Sequence, residues 1–262
     1  MLLIDKYAYL NKLASVHPLE KMTFSLGLLL LSLIMRDERI SLITFIVMSA
    51  FIIIGAKIPT KYYAKLLLLP GFFLLSSLVS ILISIAPATS TLPTHIWSFS
   101  LNSWTIFVGS ASLETAQQLF FIVLGSISCL YFLILTTSVQ SICYVLRQWR
   151  LPTLFVELVE LTYRFIFIFL ESMQKIHLAQ QARLGYSSPM QWLRSVSILI
   201  AALFAEMFQR SRELNNAMEA RGGETVYWQE DITYNTKNWL GITTIFILLI
   251  IYGGFSNDRL IL

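Results

Sequence analysis

Two stretches of this 262-residue chain end in the same way. Gln181-Ala182-Arg183-Leu184-Gly185 and Glu219-Ala220-Arg221-Gly222-Gly223 each set an arginine between an alanine and a glycine-bearing stop, 38 residues apart. Alanine keeps a helix tip slim, glycine ends the helix by accepting a left-handed backbone, and arginine in the last turn complements the negative helix end. The guanidinium offers five donors in a rigid fork that matches a carboxylate. The chemistry this implies is docking onto an acidic groove. One arginine before a glycine cap is ordinary helix chemistry. Repetition at the ends of consecutive long helices singles out Ala182, Arg183, Leu184, Ala220, Arg221 and Gly222 as docking candidates.

A second set, Glu157, Glu160 and Arg164, could serve a polytopic membrane enzyme as its acidic cluster. Such an enzyme needs convergent His, Asp or Cys groups at membrane depth, and the sequence shows no such set. His17, His95 and His177 are scattered, with no His-x-x-x-His and no neighbouring Cys, so no metal site is expected. His17, just before Pro18, reads as part of a helix start. Cys129 and Cys143 stand 14 residues apart in apolar surroundings and read as small buried hydrophobes. No Gly-x-x-x-x-Gly-Lys-Ser/Thr occurs to cradle ATP. The expectation is a chain that is not an enzyme and binds no cofactor itself.

The elements that must carry these residues belong to a membrane protein. Hydrophobic residues make up 56% of the chain, charged residues 13%, and mean hydropathy is +0.69; an average soluble domain is about 25% charged. This excludes disordered, collagen-like and coiled-coil classes, and no nucleic-acid partner is expected. A helix needs about 20 residues to cross a bilayer core. Uncharged runs predict five spans, at 22–35 (extended back to Pro18 at the first helical position), 40–56, 66–86, 119–137 and 238–257. These runs hold almost no ionisable groups, which argues against a proton relay. The first residues are too polar for a secretory signal, so the chain is expected to be mature as it stands.

Residues 138–237 differ, with 10 Lys/Arg and 9 Asp/Glu. Residues 152–222 read as two long helices. The first carries Glu157, Glu160, Arg164, Glu171 and Lys175 within nineteen residues. Each charge at a bilayer centre costs roughly 2.5–3.5 kcal/mol, while each large aliphatic returns only about 0.3–0.6. Their spacing puts them on one stripe, with Glu160–Arg164 and Glu171–Lys175 as i,i+4 pairs. This predicts an amphipathic helix at a membrane surface or protein interface. The second, from Met190 to Arg221, would be about 50 Å long, apolar over its first two-thirds and charged at its end.

The fold class is therefore all-α polytopic, with a four-helix membrane part at 1–137, a cytoplasmic or membrane-surface domain at 138–237 and a last span with its outer tail at 238–262. Placing 138–237 in the cytoplasm gives sixteen Lys/Arg inside against three outside (Arg36, Arg39, Arg259). The N-terminus is then cytoplasmic and the C-terminus outside. In the outer loop, Trp97 to Asn102 alternates as a short strand or hairpin would, with Trp97 and Trp104 expected as headgroup-level anchors.

Further motifs accompany the two endings. Ile4-Asp5-Lys6-Tyr7-Ala8-Tyr9, Asn11-Lys12-Leu13 and Val16-His17-Pro18-Leu19-Glu20-Lys21 open the chain. Thr136-Thr137-Ser138, Leu151-Pro152, Glu157-Leu158 and Leu161-Thr162-Tyr163-Arg164-Phe165 lead into the long helices. Over essentially its whole length the chain resembles the transmembrane T component of energy-coupling factor transporters, most closely the cobalt-type branch known as CbiQ. Ala220-Arg221-Gly222 matches the family's docking motif in full, while the first ending has Leu184 in third place and Gly185 one later. The resemblance implies an ATP-driven importer of cobalt or nickel ions. Two cytoplasmic ATPase subunits would bind ATP, a separate membrane protein would capture the ion, and this chain would couple them through Arg183 and Arg221. A vitamin-type T component is the alternative within transport.

Overall fold

The computed structural model describes residues 3–87, 95–101, 104–222 and 236–257. Helix α1 spans Leu3–Leu10 and leads through a 3-10 turn, Lys12–Ser15, into α2, Pro18–Met35. Helix α3, Glu38–Ala50, runs on into a π turn, Phe51–Gly55, and α4 spans Thr60–Leu82. Strands β1 (Ser84–Pro87), β2 (His95–Leu101) and β3 (Trp104–Gly109) precede α5, Ser110–Thr136. Then come α6 (Val139–Gln148), α7 (Thr153–Ala182), α8 (Pro189–Ala220) and α9 (Thr236–Asn257). The chain divides into two compact units, one containing α6–α8 and the other α1–α5, the sheet and α9.

The protein is a helical polytopic membrane protein. Among the described residues, five helical stretches are long and apolar enough to cross a bilayer: Pro18–Met35, Glu38–Gly55, Thr60–Leu82, Ser112–Thr136 and Pro189–Ala220. The first four coincide with expected spans. The expected span at 66–86 is corrected at its end, because residues 84–87 pair as β1 with β3. The fifth stretch is α8, whose apolar first two-thirds account for it, while α9 contributes the shorter apolar helix Asn238–Tyr252. The alternation at 97–101 belongs to β2, which forms an antiparallel pair with β3 in a sheet of order β1-β3-β2, while residue 102 lies outside the described residues. The side chains of Trp97 and Trp104 lie outside the described residues, as do residues 223–235 and 258–262.

In the larger unit α5 is the centre, flanked by α1, α2, α3 and α4. Phe24 and Phe132 meet edge to face at 5.9 Å beside the fully buried Leu28, Ile40, Ile52 and Leu135. Apolar burial gives little drive between helices in lipid, so close backbone approach and polar contacts must do more. The sequence supplies both. A Cβ on Gly125 would stand 2.9 Å from the Ser41 carbonyl oxygen. Ser25 Oγ donates to the Cys129 carbonyl at 2.7 Å, and the Ser32 and Ser41 hydroxyls share a 2.9 Å hydrogen bond. Pro70 lies inside α4 and has no N–H to give to the Leu66 carbonyl. Tyr131 Oη of α5 donates to that carbonyl at 2.9 Å instead, tying the break to the central helix.

The opening motifs converge at one end of this unit. His17 caps α2, its Nδ1 accepting from the Leu19 N–H at 3.2 Å, and Pro18 takes the first helical position. Lys21 is only 5% exposed. Its Nζ donates to the carbonyls of Leu13 at 3.1 Å and Thr136 at 3.0 Å. Asn11 Nδ2 donates to the Ala8 carbonyl at 2.7 Å, and buried Glu20 accepts from Asn238 Nδ2 of α9 at 2.8 Å. Sequence spacing alone marked Lys21 as a span boundary; it is an internal tie instead.

Candidate functional site

The candidate residues sit where α7 and α8 end. Helix α8 starts cleanly because Ser188 caps it, its Oγ accepting from the Gln191 N–H at 3.3 Å, with Pro189 as the first helical residue. Helix α7 follows Pro152, which breaks the preceding segment and fixes its own φ for a helix start. Two side-chain contacts join α7 to α8: Ser172 Oγ donates to Glu206 Oε1 at 2.7 Å, and Gln180 Nε2 donates to the Ser195 carbonyl at 3.0 Å.

The two helix ends share one backbone geometry. Arg183 caps α7 at φ −95°, ψ 16°, and Arg221 caps α8 at φ −96°, ψ 11°. Each arginine is followed by a left-handed residue, Leu184 at φ 57° and Gly222 at φ 78°. At the first tip the Leu184 N–H donates to the Gln181 carbonyl at 3.0 Å and the Gly185 N–H to Gln180 at 2.9 Å. This is the paired-bond helix stop in which a left-handed residue releases the last carbonyls to later donors. At the second tip the Gly222 N–H donates to the Glu219 carbonyl at 3.0 Å. Ala182, Arg183, Leu184, Ala220, Arg221 and Gly222 are all exposed. Neither arginine forms an ion pair among the described residues.

One expectation is corrected here. The left-handed residue at the first tip is Leu184, so the equivalent of Gly222 is a leucine. Gly185 acts by its missing side chain: a Cβ there would stand 2.6 Å from Ser195 Oγ and 3.0 Å from the Gln180 carbonyl oxygen. Ser195 Oγ uses that space to donate to the Gly185 carbonyl at 2.7 Å. Tyr186 Oη donates to Gln180 Oε1 at 2.7 Å and meets His177 Nδ1 at 2.9 Å. Ser187 Oγ donates to the Leu184 carbonyl at 3.0 Å. The loop between α7 and α8 is thus pinned on several sides. A non-glycine residue in the left-handed region costs about 1–2 kcal/mol, and these bonds hold it there.

Glu160 does not take Arg164 as its partner, as the i,i+4 spacing predicted; it pairs with Arg147 of α6 at 2.6 Å. The reason is tertiary: α6 folds back against α7 and presents a guanidinium that reaches Glu160 in a partly buried setting. Arg164 is exposed. Glu171 and Lys175 do pair, at 2.7 Å and in the open. Cys143, beside the Arg147–Glu160 pair, is buried, and burial pushes its thiol pKa up, with Glu160 adding to the rise and Arg147 opposing it. Among the described residues no three His, Cys, Asp or Glu side chains are grouped to hold a metal ion. Helix α6 and its arginine were missed by sequence reasoning; the single usable signal was an amphipathic pattern over ten residues.

Comparison with known proteins agrees with this arrangement. Residues 11–234 match the CbiQ family, described as cobalt transport protein. An uncharacterized protein of Methanocaldococcus jannaschii is 31% identical over 261 residues, covering 98% of this chain and 94% of the relative. The cobalt transport protein CbiQ of Rhodobacter capsulatus is 29% identical over 231 residues, or 87% of this chain and 85% of the relative. A protein of Methanocorpusculum labreanum named as a fused cobalt transport protein, CbiMQ, is 29% identical over 219 residues. That alignment covers 84% of this chain and 36% of the longer relative.

Proposed function

The chain belongs to the CbiQ cobalt transport protein family, and from that premise we propose that it is the coupling subunit of an ATP-driven importer of cobalt or nickel ions. In this reading two cytoplasmic ATPase subunits bind and hydrolyse ATP, and a separate membrane protein captures the ion. The ion is cargo, and this chain links the two activities. The observation that carries the proposal is the pair of matched tips, where two exposed arginines sit on the same cap geometry at the ends of consecutive 30- and 32-residue helices. A fork of donors held on a rigid cap, with no ion pair among the described residues, is prepared for a carboxylate supplied by a partner. The fused relative, named as a joined transport protein, suits a chain that works beside another transport component.

Coupling follows from the helices' shape. An ATPase pair that closes on ATP would draw the two tips together, and the long helices would carry that movement along their length. Packed helices accommodate such motion by small sliding shear. The N-terminus and the 138–237 domain lie in the cytoplasm in this reading, and the C-terminus outside.

Arg221→Glu tests the docking role by reversing the charge that faces the expected acidic groove. Co-purification of the ATPase subunits should be lost or severely weakened, and ion uptake with it. The double change at Arg183 and Arg221 should be worse than either alone. Normal uptake and normal co-purification in Arg221→Glu would remove the docking role.

A further inference from the structure

We propose that a cavity among α2, α5 and α9 binds one phospholipid whose headgroup carries a primary ammonium, with Glu20 as the group that receives it. The site lies within one compact unit and stands independently of the coupling reading above.

The cavity measures about 240 Å³. Four apolar stretches bring one end to it: the start of α2, the π turn that finishes α3, the finish of α5 and the start of α9. Its polar groups sit at those ends. Glu20 and Lys21 belong to the first turn of α2, and Asn238 is the first residue of the apolar stretch in α9. Its apolar lining lies deeper. At about 1.5 Å per residue, Phe24 is about 9 Å in from Pro18, and Phe51 and Phe132 are about 6 Å in from Gly55 and Thr136. Ile245 is about 10 Å in from Asn238. The three rings meet edge to face, with centroids 5.2, 5.9 and 6.3 Å apart, so they form one continuous apolar wall.

Polarity therefore falls along the spans, from charged at their ends to apolar further in. A phospholipid presents its headgroup and then its chain in the same order. A small polar solute would leave the deep end unfilled, and a bare hydrocarbon would leave the charged end facing apolar atoms. The sign of the headgroup follows from the polar end. Lys21 Nζ donates to the Leu13 and Thr136 carbonyls at 3.1 and 3.0 Å, which directs it to backbone. Glu20 is an acceptor of several hydrogen bonds, of which Asn238 Nδ2 gives one at 2.8 Å. An ammonium supplies the charged N–H donors that a carboxyl group binds best. The α9 wall has room for entry, because Gly241 is exposed and a Cβ on it would meet no atom within 4 Å.

The test reconstitutes the full chain in nanodiscs of equal parts dioleoyl phosphatidylethanolamine and dioleoyl phosphatidylcholine. The chain is then released into mild detergent, and retained lipid is identified by native mass spectrometry. The two headgroups have the same net charge and differ in the N–H donors that choline lacks. One phosphatidylethanolamine should be retained over phosphatidylcholine by roughly tenfold or more, the worth of a charged hydrogen bond. Glu20→Gln keeps an acceptor for Asn238 and should bring the two lipids to equal retention. Gly241→Leu raises helix propensity while narrowing the entry, and should remove the retained lipid. Equal retention by the wild-type chain, no retained lipid, a preference for phosphatidylcholine, or an undiminished preference in Glu20→Gln would each overturn the site. Wild-type retention by Gly241→Leu would overturn it as well.

Discussion

A lysine only 5% exposed in a membrane unit needs a reason to be there, and Lys21 has two in the carbonyls of Leu13 and Thr136. Both carbonyls lie where regular structure stops, one in the 3-10 turn and one at the last residue of α5, and each has one other donor, the Val16 N–H on Leu13 at 3.0 Å and Asn11 Nδ2 on Thr136 at 3.4 Å. The ammonium closes these ends and ties α2 to α5. Lys21→Met keeps most of the stem and removes the donor; each carbonyl keeps its other bond, so the loss is that of a hydrogen bond from a charged group, about 1.5–3 kcal/mol. Thermal unfolding in detergent checks this, and an unchanged midpoint would mean the carbonyls find other donors. Little of it was legible beforehand. A charge beside an apolar run reads as a span boundary; the start at Pro18 was readable, and only the fold shows the Lys21 side chain turned inward. The cysteines were readable, since nothing around them in sequence could use a thiol, and both Cys129 and Cys143 prove buried.

The helix ends were legible to within a residue or two because their signals are local: Pro152 and Pro189 at the starts, alanine and arginine at the stops. The identity of the left-handed residue was not, since glycine stands beside the arginine at one end and one place further on at the other. Leucine in that position depends on the Gly185–Ser195 approach, which brings residues ten apart together. Gly185→Ala should therefore disorder the first tip without touching Arg183: ATPase affinity falls at the first tip, and protease sensitivity between α7 and α8 rises. The partner of Glu160 was hidden for a similar reason, because the i,i+4 rule sees one helix and Arg147 lies on another. Glu160→Gln should loosen α6 from α7 by about 1.5–3 kcal/mol, as expected for a partly buried charged hydrogen bond. A double-mutant cycle with Arg147→Gln checks the coupling. The exposed Glu171–Lys175 pair behaves differently. The hydrogen bond and charge of Lys175 hold the Glu171 carboxyl below its usual range. Whatever stability this gives is present above the ordinary carboxylate pKa and is lost as pH falls through the depressed one. With both side chains about 70% exposed, solvent screens the pair, so Glu171→Gln should leave the melting temperature unchanged at neutral pH.

Charge distribution organises the molecule as a whole. Residues 138–237 hold 19 of its 34 charged side chains, and the remaining 162 residues share 15. Within the membrane unit the short connections divide by sign and number: three lysines lie between residues 57 and 65, while the turn from α2 to α3 carries Arg36, Asp37, Glu38 and Arg39. Short basic loops stay on the cytoplasmic side, so the orientation proposed above puts residues 57–65 inside and the turn from α2 to α3 outside. The fold makes this orientation easy to test, because Lys61 and Arg39 are exposed while Cys129 and Cys143 are 0% and 1% exposed. The native thiols should therefore contribute little labelling background. In intact cells a membrane-impermeant maleimide should label Arg39→Cys and spare Lys61→Cys, and permeabilisation should make the second reactive. The reverse pattern would put the arginine tips on the wrong side of the membrane for any ATP-driven partner, and the coupling reading would fail with it.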